Sequence, residues 1–201
     1  MKYIIKYEGS FGFIKPWSAV RDTKTKSCFY LTPSILMGIE RKLFPELSLN
    51  DNGKLNKILR YRLNFQDVTF QKELTRSINY INKTSKSNKK KYFIANTNTV
   101  ERGLLLNPVL YIMISSINDI DIFMSQHICL CRNEDILFPT KIIEIENDDN
   151  FNTDEQFYGY ESFSCDENDD NSILCGLNKY TNDKQYIQFK MFGTPDNLKT
   201  L

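Results

Sequence analysis

The chain has 201 residues, of which 41 % are apolar and 25 % charged, enough to bury the core of one ordinary domain. No run of about 18 apolar residues is present, so the sequence predicts no membrane-spanning helix. Lys6 interrupts the apolar opening where a secretion signal needs an unbroken core, which predicts a cytoplasmic protein. The formal net charge of +1 conceals an asymmetry: residues 1–102 carry 20 Lys and Arg against 8 Asp and Glu, and residues 103–201 carry 6 against 17. Such a division predicts a polyanionic partner for the first half and lets the two halves attract each other.

In chain order, residues 2–7 alternate, with Tyr3, Ile5 and Tyr7 on one face, and predict a first strand. Lys15 to Phe29 reads as a loop with a basic cluster of Arg21, Lys24 and Lys26. Thr32-Pro33 is a helix start, a capping hydroxyl followed by a proline suited to the first helical position. Ile35, Leu36, Ile39 and Leu43 then recur at helical spacing until Pro45 ends the helix. Gly38 inside it predicts close packing against another backbone. Residues 58–70 alternate again and predict one half-buried strand, with Arg60 and Arg62 on its outer face.

Residues 71–98 differ in kind, holding Arg76, Lys83, Lys86, Lys89, Lys90 and Lys91 with interleaved Tyr80, Tyr92 and Phe93. They read as an exposed hairpin or loop. Val109 to Ile114 is a central strand, apolar on both faces. A short helix over 119–127, a strand over Ile142–Ile145 and a last strand from Tyr186 to Met191 follow. Residues 144–170 hold eleven acids and no Lys or Arg, and read as a solvated or partly disordered insert. This order predicts an α+β fold, in its simplest form a ferredoxin-like (RRM-like) split βαβ arrangement. Residues 1–145 form the binding domain, and 146–201 add an acidic insert and a closing strand packed on it.

The basic stretch carries the chemistry. From Lys54 to Arg102 there are 12 basic residues against 3 acids, and aromatics lie among them. Cations meet phosphates and bases stack on aromatic rings, so this composition points to RNA. His127 is the sole histidine, and acid–base cleavage of RNA needs a second group in position. It reads as a hydrogen-bonded, half-buried side chain; an endoribonuclease using His127 with Tyr30 is the alternative. Five cysteines (Cys28, Cys129, Cys131, Cys165 and Cys175) lack the paired spacing of a zinc site and read as free thiols. No glycine-rich nucleotide loop or nucleophilic serine motif is present, so no metal or cofactor is expected. A third reading is a protein-interaction module of phage origin, whose acidic segment binds a basic partner.

Three segments carry a resemblance. Phe11-Gly12-Phe13, Lys15-Pro16, Leu31-Thr32-Pro33-Ser34 and Gly38-Ile39 form the first; Val100-Glu101-Arg102-Gly103 running on to Ile112 forms the second; Cys129-Leu130-Cys131-Arg132-Asn133-Glu134 forms the third. In order and spacing they resemble the fifth-numbered family of CRISPR-associated proteins, a branch of the RAMP superfamily. The resemblance implies a ferredoxin-like RAMP fold with a protruding thumb hairpin, which falls at residues 71–98. It implies a subunit of a Cascade-type effector that holds the 5′ handle of the CRISPR RNA (crRNA), beside the backbone-forming and large subunits. Target DNA would be met only through that complex. Thr32 and Ser34 would offer donors to phosphate, with Arg21, Lys24, Lys26 and Tyr30 nearby. Arg60, Arg62, Arg102 and Arg132 would join them.

One branch of that family cleaves precursor RNA, using a tyrosine just after the first helix and a Lys-His pair on a later strand. Here Leu43-Phe44 and Tyr111 to Ser116 stand in those places, so the resemblance implies a subunit that does not cleave. The family's glycine-rich C-terminal loop is not evident either.

Overall fold

The computed structural model describes residues 1–18, 23–48, 53–74, 80–84, 91–95, 99–178 and 181–193, with 80–84 and 91–95 described by backbone alone. The chain runs β1 (Lys2–Glu8), β2 (Phe11–Gly12), β3 (Lys24–Lys26), α1 (Pro33–Leu43), β4 (Ile58–Asn64), β5 (Asp67–Leu74), β6 (Tyr80–Thr84), β7 (Lys91–Ala95), β8 (Thr99–Leu106) and β9 (Val109–Ile114). It continues through α2 (Ile120–Ser125), β10 (Ile128–Cys129), β11 (Ile136–Ile145), α3 (Asp148–Thr153), β12 (Gly159–Cys165), β13 (Ile173–Leu177) and β14 (Lys184–Phe192). The fold is mixed α+β, rich in strands and poor in helix.

Period-two alternation organises the main sheet, whose strand order is β10-β11-β1-β9-β4-β12-β14-β13. One face receives Tyr3, Ile5 and Tyr7 from β1 with Leu110, Ile112 and Ile114 from β9, and packs against α1 and α2. The other receives Ile4, Tyr111 and Met113, and packs against Phe151 and Phe157. β9 is thus apolar on both faces, as its sequence predicts, while the second face of β1 holds Ile4 between Lys2 and Lys6. β4 and β12 meet at a single bridge, Leu63 with Tyr160, so the sheet has a seam there.

α1 forms as its sequence requires. The Thr32 hydroxyl oxygen accepts from the Ile35 amide at 3.4 Å, Pro33 occupies the first turn, and Arg41 and Lys42 sit near the negative end of the helix dipole. Leu36, Ile39 and Leu43 face the core. Glu40 is buried too, and its carboxylate accepts from the amides of Asn56, Lys57 and Ile58 at 2.9, 2.6 and 2.9 Å. Those three bonds fix the chain as it enters β4.

Three expectations are corrected. Gly38 does not pack against a backbone, since a Cβ built there meets nothing within 4 Å. Residues 58–70 are two strands rather than one, because the chain leaves the main sheet at Phe65-Gln66 and β5 pairs with β8 in a second sheet. The acidic stretch is ordered: α3, a one-turn helix at Glu155–Phe157 and β12 occupy it, with Phe151 at 0 % and Phe157 at 1 % exposure. A few well-spaced aromatics anchor the segment while its acids stay outside.

Four tyrosines are held by burial. Tyr7 donates to the Phe123 carbonyl at 2.5 Å, and Tyr61 bridges Leu31 and Ser162. Burial pushes both phenols well above the ordinary tyrosine range, and pushes Tyr30 and Tyr111 up to about 12. In the unfolded chain all four ionise near 10. The folded state therefore holds more protons above that pH, and the stability these groups contribute is complete below pH 10 and lost as pH climbs through about 12. A denaturant series from pH 9 to 12 should show unfolding midpoints falling with pH, with these phenols ionising only as the chain unfolds when followed at 295 nm.

Candidate nucleic-acid interface

The second sheet is built around β8. β5 runs antiparallel along one edge from Asp67 opposite Leu106 to Leu74 opposite Thr99, and β2 and β3 share the other edge. β6 and β7, which lie between β5 and β8 in the chain, pair with each other from Tyr80 opposite Ala95 to Thr84 opposite Lys91. The backbone thus forms the expected hairpin within the lysine-rich stretch, and Lys83 and Lys91 fall on its two strands. Arg21, Arg76, Lys86, Lys89 and Lys90 lie outside the described residues.

Strand register sorts the second sheet's faces. Phe70, Gly103 and Lys26 stand in one row, flanked by Lys72, Glu101 and Lys24 in the next, all on one face. Phe70 is 43 % exposed. The Lys24 and Lys26 ammonium groups lie 4.7 and 5.9 Å from its ring centre, and Lys24 also pairs with Glu101 at 3.6 Å. This face gathers two of the basic residues singled out in the sequence around an aromatic that was not.

The opposite face holds Arg102, whose guanidinium donates to Thr25 Oγ1 at 2.9 Å. Arg132 reaches it from the loop after β10, and the two guanidiniums flank Phe13 at 5.7 and 5.5 Å. Arg132 is held by Asp135 at 2.7 Å and by Glu73 and Glu134, and the hydrogen bond to Asp135 raises its pKa further above the ordinary value. It therefore ties the 130–135 loop to β5 and is not available to a phosphate. Tyr30 stacks on Phe189 at 5.3 Å, and Ser34 donates to Gln185 Oε1 at 2.8 Å, so both engage β14.

Arg60 and Arg62 correct the sequence reading most sharply. They do not form a basic outer face, because α3 and Phe192 cover that side of β4 and Glu161 reaches across from the neighbouring strand β12. Arg62 is fully buried and shares the Glu161 carboxylate with Arg60, whose contacts to it are 2.8 and 2.7 Å. Asn152 Oδ1 accepts from Arg60 at 2.9 Å and from Arg62 at 3.1 Å. Arg62 Nε makes no hydrogen bond, and the guanidinium lies 3.4 Å from the ring centre of Phe192 and 4.4 Å from that of Phe151. Burial lowers the Arg62 pKa to about 10, against the pull of Glu161.

His127 lines an open cleft of about 490 Å³ with Ile35, Gly38, Ile39, Lys42, Cys129, Leu130, Cys131 and Asn133. Lys42 donates to its carbonyl, and its ring lies 6.0 Å from Phe138. Tyr30 does not line this cleft. Among the described residues no three His, Cys, Asp or Glu side chains group to hold a metal ion, and no helix is long and apolar enough to cross a membrane.

A strand-rich α+β sheet bearing a lysine-rich hairpin defines the class to which the comparisons speak. No family profile matches the sequence, and no curated protein matches it. Among solved structures, the fold is shared with a chain of a CRISPR RNA-guided surveillance complex at TM-score 0.54 and 9 % identity, over 98 % of this chain and 92 % of that one. A chain from the Type III-B Cmr-beta complex bound to cognate target RNA and AMPPnP aligns over 95 % of this chain and 84 % of that one, at 10 % identity and TM-score 0.45. At TM-score 0.54 the chain has the fold of that CRISPR RNA-guided surveillance complex subunit.

The Arg60–Glu161–Arg62 cluster makes a direct test of its structural role. Glu161→Gln leaves two arginines facing each other without a carboxylate and should destabilise the protein by about 3 kcal/mol in urea unfolding. Adding Arg62→Met to that variant should recover part of the loss, since a long apolar side chain fits between Phe151 and Phe192.

Proposed function

We propose that this chain is a non-catalytic, guide-RNA-binding subunit of a Cascade-type CRISPR effector, capping the 5′ handle of the crRNA in the cytoplasm. It sits beside the backbone-forming and large subunits and meets target DNA only through them. The observation that carries this reading is the two-stranded β6–β7 hairpin, with Lys83, Lys86, Lys89, Lys90 and Lys91 in its sequence, carried on the β5–β8 ladder. A basic two-stranded ribbon can follow a single-stranded backbone, and the neighbouring β5–β8 face joins cations to an aromatic. The ferredoxin-like form of the fold is supported by the order β11-β1-β9-β4, with α1 after β1 and α2 after β9 packed on the same face.

The non-catalytic reading draws support from the separation of the two groups an acid–base ribonuclease here would use. His127 lines one cleft and Tyr30 is stacked on Phe189 elsewhere. Burial keeps the Tyr30 phenol up to about 12, so it stays protonated at neutral pH and is no general base.

Assembled with its partner subunits, the chain should protect the 5′ end of a guide RNA of defined length from nuclease digestion. Replacing Lys89, Lys90 and Lys91 with Glu should weaken binding to every sequence alike and reduce the log–log salt slope by about 2, three phosphate contacts at about 0.7 each. Unchanged affinity at low salt would remove the thumb assignment. Repeat RNA incubated without metal should stay intact with wild type; site-specific cleavage abolished by His127→Ala would establish a ribonuclease instead.

A further inference from the structure

We infer that Phe70 is a stacking platform for one unpaired base of a single-stranded RNA, with Lys24 and Lys26 taking the flanking phosphates. The inference rests on the RNA-binding reading above and adds to it the place where one base is held. An aromatic ring left 43 % exposed in the middle of a strand gains little from the protein's own core. Here it is also specifically accommodated.

Gly103 lies opposite Phe70 on β8 and opposite Lys26 on β3. A Cβ at Gly103 would stand 3.3 Å from the Phe70 Cε1 and 3.2 Å from the Lys26 Cα, tighter than ordinary contact. The missing side chain therefore lets the ring lie down across the neighbouring strand instead of standing off the sheet. Any larger residue would lift it.

The ring already attracts cations. Lys24 and Lys26 bring their ammonium groups to 4.7 and 5.9 Å from its centre, and the Lys24 side chain is 60 % exposed on a flexible stem. Cation–π attraction and base stacking both use the π-face of the ring. A base arriving on Phe70 takes the place of the Lys24 ammonium, which moves the short distance to the phosphate that arrives with the base. Glu101, the acid of this cluster, is held by Lys24 at 3.6 Å, and its repulsion of phosphate sets the strand on the Lys26 side.

The test uses the full-length chain and fluorescently labelled single-stranded RNA of mixed sequence, with the same RNA annealed to its complement as control. Phe70→Ala should lower single-strand affinity about tenfold without changing the salt slope, because a stack is lost and no phosphate contact is. Phe70→Trp should keep the affinity, and Gly103→Val should behave like Phe70→Ala. Lys24→Ala with Lys26→Ala should instead reduce the slope by about 1.4. Duplex RNA should respond to neither Phe70 variant.

Phe70→Ala binding single strands within about twofold of wild type, while the Lys89, Lys90 and Lys91 charge reversal still weakens binding, would overturn the platform and leave the RNA-binding reading standing. Loss of a protein neighbour with RNA affinity intact would equally overturn it, making Phe70 a protein contact. No single-strand binding by wild type at low salt would remove the RNA-binding reading, and the platform with it.

Discussion

One buried carboxylate carries the polar contact between β4 and the acidic segment that packs beside it. Glu161 comes from the acidic half and lies, buried, between Arg60 and Arg62 of the basic half. Two cations on one anion leave a net positive charge in a site from which water is largely removed. The protein offsets that with Asn152, the Phe151 carbonyl and the faces of Phe151 and Phe192. Cation–π contacts of this kind, when desolvated, contribute about 2 kcal/mol each, comparable to a charged hydrogen bond. α3, β12 and the end of β14 each place a side chain or carbonyl against these two guanidiniums.

This arrangement divides the basic residues into two populations. Arg60, Arg62 and Arg132 are engaged by carboxylates and serve the fold. Lys24, Lys26 and Lys72 stand on an exposed face next to an aromatic, at the root of the lysine-rich hairpin. Arginine's planar fork suits the first role, because it can meet two acceptors at once in a dry site. Lysine's hydrated point charge on a flexible stem suits the second. Glu161 of the acidic half neutralises Arg60 and Arg62, while Lys24 keeps only an exposed pair with Glu101 at 3.6 Å, so buried and exposed cations part company within one basic segment.

Much of the fold is legible in the residues. Tyr3, Ile5 and Tyr7 announce β1, Thr32-Pro33 announces α1, and the β-branched run from Val109 announces β9, because each depends on neighbours in the chain. Arg60 and Arg62 were misplaced for the opposite reason. Alternation separates two faces of a strand but does not say whether both are covered, and the cover for this one comes from Glu161, 101 residues from Arg60. The acid-rich composition of 144–170 likewise masks Phe151 and Phe157, two anchors that suffice to order it. Because residues 58–70 read as one strand and the turn into β5 is hidden, Phe70 does not stand out in the sequence. Its significance depends on Gly103, a glycine whose role is visible only once β5 and β8 are paired.

The single bridge between Leu63 and Tyr160 gives the main sheet an unusual mechanical character. On one side lie the strands bonded to α1 and α2; on the other lies the three-stranded group of β12, β14 and β13. A ladder of backbone bonds would spread load across such a seam, but here side chains carry it, chiefly Glu161 with its two arginines and Tyr61 with Ser162. The three-stranded group is joined to the rest by these polar links and by ring contacts such as Tyr160 with Phe65 and Tyr30 with Phe189. With one backbone bridge to hold it, its amides should exchange ahead of those of β1 and β9, which are laddered on both edges.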